Sequence, residues 1–105
     1  MFRGKHLVNS TNINAIQARY KASLGEKKML IDNYRSRLFD TTSSLSELYE
    51  EVHADLHKLA GSLGMYGYDD LALQARLAME SALTGNKQEL DESLVKLSLL
   101  FAEYS

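Results

Sequence analysis

Hydrophobic residues recur every three or four positions along most of this chain, the spacing that gathers side chains on one face of an α-helix. Five such stripes follow one another: Ile13, Ile16, Tyr20 and Leu24; Met29 or Leu30, with Ile31, Tyr34 and Leu38; Leu45, Leu48, Val52, Leu56, Leu59, Leu63 and Tyr66; Leu71, Ala75, Ala78 and Ala82, with Leu73 and Leu77 beside them; and Leu90, Leu94, Leu97, Phe101 and Tyr104. The third stripe is the clearest. The pattern predicts an all-α protein whose helices each bury one face.

Glycines and polar residues mark where the first three helices begin and end. Gly25 predicts a break between a short first helix and a longer second one. After a polar loop over residues 40–44, Ser44 and Glu47 have the spacing of a capping box at the start of the third helix. That helix should run for about twenty residues before Gly67 ends it.

The connections in the second half of the chain are equally short. The ends of the fourth and fifth helices are marked by Asp69 or Asp70, by Gly85, and by Asn86 with Glu89. Such short connections join neighbouring antiparallel helices. We therefore expect an antiparallel up-and-down four-helix bundle with a short N-terminal helix over residues 13–105. Residues 1–12 are polar and aperiodic, and we expect them to dock loosely.

The composition limits the classes of function. The chain has 105 residues, enough for one domain with its own core. Its net charge of −2 lacks the basic excess typical of nucleic-acid binding, so no nucleic-acid partner is expected. Cysteine is absent, which excludes disulfides, thiol catalysis and zinc–thiolate sites.

Membrane insertion and self-association are not expected either. No apolar run approaches the ~18 residues of a membrane span. The first ten residues lack the apolar stretch of a signal peptide, so we expect a cytoplasmic protein. Each strong apolar stripe is used once to close the bundle, which predicts a monomer.

The polar side of the third helix carries an unusual combination of residues. On a helical wheel, His57 lies about 140° from the centre of the apolar stripe. Glu50, Ala54, Gly61 and Gly64 share this side, which we name the His57 face. Glycine inside an exposed helix costs about 1 kcal/mol relative to alanine, so two of them suggest a surface kept bare for a partner. Alternatively, both glycines mark an early helix end and His57 is an ordinary surface residue.

The segment from His57 to Gly67 resembles the signature of histidine-containing phosphotransfer domains. In that family, glycines follow the phosphorylated histidine after four and ten residues, positions held here by Gly61 and Gly67. The resemblance extends over residues 13–105. Many members carry lysine three residues after the histidine, where this chain has Ala60. Lys58 is then the nearest cation.

The resemblance implies a phosphoryl carrier without autokinase activity. His57 would be the phospho-acceptor. The residues that would face the phosphate or the partner are Lys58, Gly61, Gly64, Ala54 and Ala60. The implied partners are response-regulator receiver domains and a sensor kinase, with the receiver supplying aspartate, Mg²⁺ and lysine. The chain itself would need no cofactor, and an imidazole in water is mostly neutral and nucleophilic at pH 7.

Two other interpretations compete with the relay. Glu50 and His53 match half of a di-iron motif, but that site needs two such pairs pointing inward, and Glu50 points outward. A zinc-protease motif would need glutamate where Ala54 follows His53, so we expect no functional metal site. The main alternative is a non-catalytic helical-bundle interaction module that binds a partner through the His57 face.

Overall fold

The computed structural model describes residues 13–40 and 44–104, and the described part is helical without any strand. The expectation for residues 1–12 lies outside it. The helices are α1 (residues 13–22), α2 (Leu24–Leu38), α3 (Leu45–Met65), α4 (Asp69–Thr84) and α5 (Lys87–Glu103). The prediction of an all-α fold is confirmed.

The break between α1 and α2 falls at Ser23, so its assignment to Gly25 is wrong. The Ser23 hydroxyl donates a hydrogen bond of 2.6 Å to the carbonyl of Tyr20. Serine hydroxyls that bond the preceding turn compete with the backbone ladder. The ladder nevertheless continues across the turn, because the amide of Lys27 donates to the Ser23 carbonyl at 3.2 Å. Gly25 is the second residue of α2.

The predicted caps of α3 and α5 are confirmed. The Ser44 side chain accepts a hydrogen bond from the amide of Glu47, and the Asn86 side chain accepts one from the amide of Glu89. Gly85 ends α4 in the left-handed conformation, with φ of 70°. These ends are set by local chemistry, which is why the sequence predicts them.

The predicted aspartate cap of α4 is wrong. Tyr68 is the N-cap residue and makes no capping bond through its side chain, while Asp69 and Asp70 belong to the first turn. The Asp70 carboxylate accepts from the amide of Leu71 at 2.8 Å and from the Tyr104 hydroxyl at 2.8 Å. Asp70 therefore links the start of α4 to the end of α5.

The four longer helices pack around one apolar core. Contacting pairs are α2 with α3, α3 with α4, α4 with α5, and α5 with α2. The largest fully buried side chains are Tyr34, Phe101, Leu24, Ile31, Leu38, Leu48, Leu56, Leu63, Leu71, Leu90, Leu94 and Leu97. They come from the predicted stripes, and each helix buries the face that its pattern predicts.

Polar side chains at the edge of the core join neighbouring helices. The bonds between α2 and α3 run from Tyr34 to Asp55 and from Arg37 to Glu51. The bonds between α2 and α5 run from Ser98 to Asp32 (2.6 Å) and from Arg35 to Asp91 (2.9 Å). Between α4 and α5, the hydroxyl groups of Ser81 and Ser93 lie 3.0 Å apart. Within the described ranges, no buried side-chain nitrogen or oxygen lacks a partner.

Part of the apolar pattern stays in contact with water. Ile13 and Ile16 of α1 are 55% and 43% exposed, and Met29 and Leu30 of α2 and Leu73 and Leu77 of α4 are also exposed, so neither Met29 nor Leu30 belongs to the buried stripe of α2. The expectation that each strong stripe closes the bundle therefore fails for α1, where Tyr20 is the half-buried member that contacts the rest of the protein. The monomeric state remains a prediction.

Gly67 ends α3 as predicted, through a Schellman motif. The amide of Tyr68 donates to the carbonyl of Leu63 at 2.9 Å, and the amide of Gly67 donates to that of Gly64 at 3.1 Å. This turn requires a positive φ, which is 86° at Gly67. The position suits glycine because a Cβ atom is strained in this conformation.

We predict that Gly67→Ala lowers the free energy of unfolding by about 1–2 kcal/mol through backbone strain alone. A Cβ atom at Gly67 would meet nothing within 4 Å, so steric contact does not contribute. The measurement is thermal unfolding, with Gly61→Ala as the matched control in an equally open position. Equal melting temperatures for the two variants would contradict the prediction.

Candidate functional site

The His57 face lies on an uninterrupted stretch of α3. The helix continues to Met65, so the interpretation that Gly61 and Gly64 mark an early end is wrong. His57, Ala54 and Gly61 are exposed, and Lys58 is exposed beside them. The imidazole of His57 therefore projects from a helix whose neighbouring surface carries little side-chain volume.

Neighbouring elements cover one flank of α3 and leave the His57 face open. On that flank the Tyr34 hydroxyl of α2 donates to the Asp55 carboxylate, and the Ser62 hydroxyl donates to the Tyr20 hydroxyl of α1 at 2.7 Å. Asp55 comes two residues before His57 and so points to a different side of the helix. The carboxylate nearest to His57 in the sequence is thus held against α2.

The hydrogen bond to Asp55 is maintained because Tyr34 stays protonated. Burial raises the pKa of Tyr34 well above its usual range, and the adjacent Asp55 carboxylate raises it further. The phenol therefore donates at every physiological pH. Asp55 is a structural acceptor in this arrangement and does not serve as a base for His57.

Ala60 does not face a partner, which corrects the expectation drawn from the resemblance. Its side chain is only 3% exposed and belongs to the core. It lies one turn before Gly64 on the flank where α3 packs against α4. Small residues of α4, such as Ala72 and Ala75, are buried in the same core and permit close approach of the two helices. In many members of the family that this segment resembles, this position is lysine; in this chain it is buried.

The two glycines of the His57 face have different surroundings. A Cβ atom at Gly61 would meet nothing within 4 Å, so this glycine lies in open space. A Cβ atom at Gly64 would lie 3.9 Å from both the Ala72 Cβ atom and a guanidinium nitrogen of Arg76. Gly64 is half-buried at the edge of the face, beside α4.

A groove between α3 and α4, on the same side as Gly64 but nearer the start of α3, contains the second histidine of α3. The groove measures about 330 Å³ and is lined by Tyr49, Glu50, His53, Ala82, Leu83 and Gly85. His53 is half-buried there, whereas His57 is exposed. Neither imidazole has a hydrogen bond or ion pair to another residue of the described ranges. His6 lies outside those ranges.

The described ranges contain neither a cluster of metal ligands nor a membrane-spanning helix. No three residues among histidine, aspartate and glutamate come together there in a way that would hold a metal ion. Among residues 13–40 and 44–104, no helix is both long and apolar enough to cross a membrane.

A tyrosine cluster near the end of α3 was not anticipated from the sequence. The rings of Tyr20 and Tyr66 stack with centroids 4.0 Å apart, Tyr68 stacks on Tyr20, and Tyr104 meets Tyr68 edge-on at 5.3 Å. Lys27 lies 4.5 Å above the Tyr20 ring. The cluster joins α1 to the α3–α4 turn and to the end of α5. These tyrosines are far apart in the chain, so no local pattern predicts their contact.

Comparison with known proteins gives no match: no family model, no curated protein and no solved structure is similar enough to this chain to count as a relative.

We predict that Gly61→Ala is neutral or stabilises the protein by up to about 1 kcal/mol, because alanine has the higher helix propensity and the added Cβ atom meets open space. Gly64→Ala should also keep the fold, since contacts of 3.9 Å are ordinary van der Waals distances. Thermal unfolding of both variants tests this. A clear fall in the melting temperature of Gly61→Ala would mean that the fold itself requires this glycine.

Proposed function

We propose that this chain is a histidine phosphotransfer protein or domain, in which His57 accepts a phosphoryl group from a receiver-domain aspartate or a kinase relay and passes it to another regulator. The observation that carries the proposal is an exposed imidazole on an uninterrupted helix, one turn before a glycine whose side-chain direction is empty. An aspartyl phosphate recessed in a partner would need this combination of a projecting nucleophile and a bare surround.

The proposed transfer conserves atoms and charge. The lone pair of the outer ring nitrogen, Nε2, attacks the phosphorus of an aspartyl phosphate. The N–P bond forms while the P–O bond to the carboxylate breaks, and that electron pair leaves with the carboxylate. The other ring nitrogen keeps its proton. The reverse step delivers the group to a second receiver.

The catalytic parts are divided between the chain and its partner in this proposal. Phosphoryl transfer depends mainly on in-line positioning and on cations around the moving group. His57 supplies the nucleophile, and the receiver supplies the aspartate, Mg²⁺ and lysine. We therefore propose a phosphoryl carrier that has no cofactor of its own and no autokinase activity.

We further propose that α2 to α5 form an antiparallel up-and-down bundle. The support is the order of the hydrogen-bonded pairs between neighbouring helices. In each case, residues later in one helix contact residues earlier in the other, as antiparallel helices require. Such pairs are Tyr34–Asp55 with Arg37–Glu51, Asp32–Ser98 with Arg35–Asp91, and Asp70–Tyr104 with Ser81–Ser93. In this arrangement one long side of α3 remains available to a partner.

A non-catalytic interaction module is the second candidate. Met65 is 78% exposed at the end of α3, and Leu83 is 68% exposed beside the groove that contains His53. Exposed apolar side chains near the His57 face would favour docking with or without chemistry. Binding of a receiver without any phosphate transfer to His57 would favour this candidate.

We predict that His57→Gln abolishes labelling by a phosphorylated receiver, because it removes the nucleophilic nitrogen. The assay is the appearance of acid-labile, base-stable phosphate on this chain. His53→Gln is the matched control on the same helix and should still take up label, because the acceptor nitrogen of His57 remains. Labelling that persists in His57→Gln would refute the assignment of the acceptor.

We predict that Gly61→Gln slows transfer by about tenfold or more while the protein stays folded, since about 1.4 kcal/mol on the barrier is a factor of ten. The longer side chain would stand one turn from His57 on the docking surface. Transfer rate and melting temperature should be measured on the same samples, with Gly61→Ala as the small-residue control. A stable Gln variant that transfers at the normal rate would remove the steric argument.

A further inference from the structure

The phosphoryl group on His57 would carry about two negative charges. A cationic or hydrogen-bond-donating side chain beside it would stabilise those charges. Many proteins of the family that this chain resembles carry lysine three residues after the histidine. Here that position is the buried Ala60. A cation for the phosphoryl group must therefore come from elsewhere. The candidates near the His57 face are Lys58, Arg76 and His53.

Lys58 and Arg76 are poorly placed for this role. Lys58 directly follows His57 and points about 100° away around the helix, and adjacent helical residues do not face each other. The Arg76 guanidinium lies beside Gly64, which is seven residues or about 10 Å further along the axis. Side chains of a helix tilt toward its N-terminus, so the His57 ring leans away from Arg76.

His53 lies in the direction in which the His57 ring leans. Residues four apart on a helix have Cβ atoms about 5–6 Å from each other, and the later side chain inclines over the earlier one. Ala54, the other residue of that turn, offers only a methyl group. His53 is half-buried in its groove, which restricts the positions of its ring, and it has no partner within the described ranges.

We propose that His53 is a phosphate-contacting residue: its imidazole donates an N–H hydrogen bond to a phosphoryl oxygen on His57 and stabilises the phosphorylated form. This inference rests on the proposed function. His57 is the acceptor and His53 the supporting donor, so loss of His53 weakens retention of the phosphate without removing the acceptor. A protonated ring adds a charge-assisted bond, which is stronger than a neutral one.

The groove that contains His53 is lined by one carboxylate, on α3, and by no charged residue of α4. Its titratable members on α3 are Tyr49 and Glu50, and Glu50 lies one turn before His53. The α4 side contributes Ala82, Leu83 and the adjoining Gly85, none of which carries a charge. Phosphorylation of His57 would therefore place a dianion and a carboxylate on the same helix as the His53 ring, without an opposing cation among the residues lining the groove.

The experiment measures the equilibrium distribution of phosphate between a receiver and this chain. Loss of one charge-assisted hydrogen bond should shift the equilibrium toward the phosphorylated receiver by about tenfold in His53→Gln. His53→Lys should restore retention, because an ammonium group can also donate to the phosphate. Lys58→Ala is the matched control on the same helix and should have the smaller effect. A zinc-selective chelator excludes a metal bridge between the two histidines.

Rescue by His53→Lys separates direct contact from a structural role, because the ammonium group replaces the N–H donor but not the shape of the imidazole ring. Melting temperatures identify any variant that fails to fold, and His53→Asn then replaces it.

The possible failures are distinguishable. A wild-type chain that never takes up phosphate removes the proposed function together with this inference. Normal labelling of His57 with an unchanged equilibrium in His53→Gln, or a larger shift in Lys58→Ala, overturns the inference and leaves the proposed function intact.

Discussion

The packing of α3 between α2 and α4 is the constraint on which the rest of the candidate site depends. One flank of α3 is tied to α2 through the bond between Tyr34 and Asp55, and the other is closed where Ala60 enters the core. The arc between these flanks is left to solvent, and His57 lies within it. Because α3 is a continuous helix of 21 residues with a regular pitch, core contacts several turns away determine the direction of the imidazole.

Three glycines near the end of α3 illustrate that one residue type can serve three physical purposes. Gly67 adopts a positive φ that the helix-terminating turn requires. Gly64 lies beside α4, where an added methyl group would just reach van der Waals contact. Gly61 has neither reason, since its backbone is helical and its side-chain direction is empty. A residue that lowers helix propensity without helping the fold is best explained by what approaches it from outside.

The features predicted correctly from the sequence depend on neighbours within a few residues. The caps at Ser44 and Asn86 and the turn at Gly67 follow from local hydrogen bonding, and the periodic apolar positions identify most of the core. Two of the mispredicted features, the exposure of Ala60 and the packing of the α1 stripe, depend on distant parts of the chain. Ala60 lies on the flank of the wheel, and only the approach of α4 decides that it is buried. The stripe of α1 has the same period as the others, yet more than half of the Ile13 surface is exposed.

Two carboxylates of α3 are engaged by residues of α2. Asp55 is engaged by a phenol that burial keeps protonated, and Glu51 is held by Arg37, whose hydrogen bonds lower the pKa of the Glu51 carboxyl. Both carboxylates are thus directed to the α2 side of α3. Among the described residues, His57 has no hydrogen bond or ion pair to a carboxylate. Under the proposed function, the choice of partner would depend on how closely a receiver can approach the His57 face at Gly61. Retention of the phosphate would depend on the imidazole of His53, one turn away.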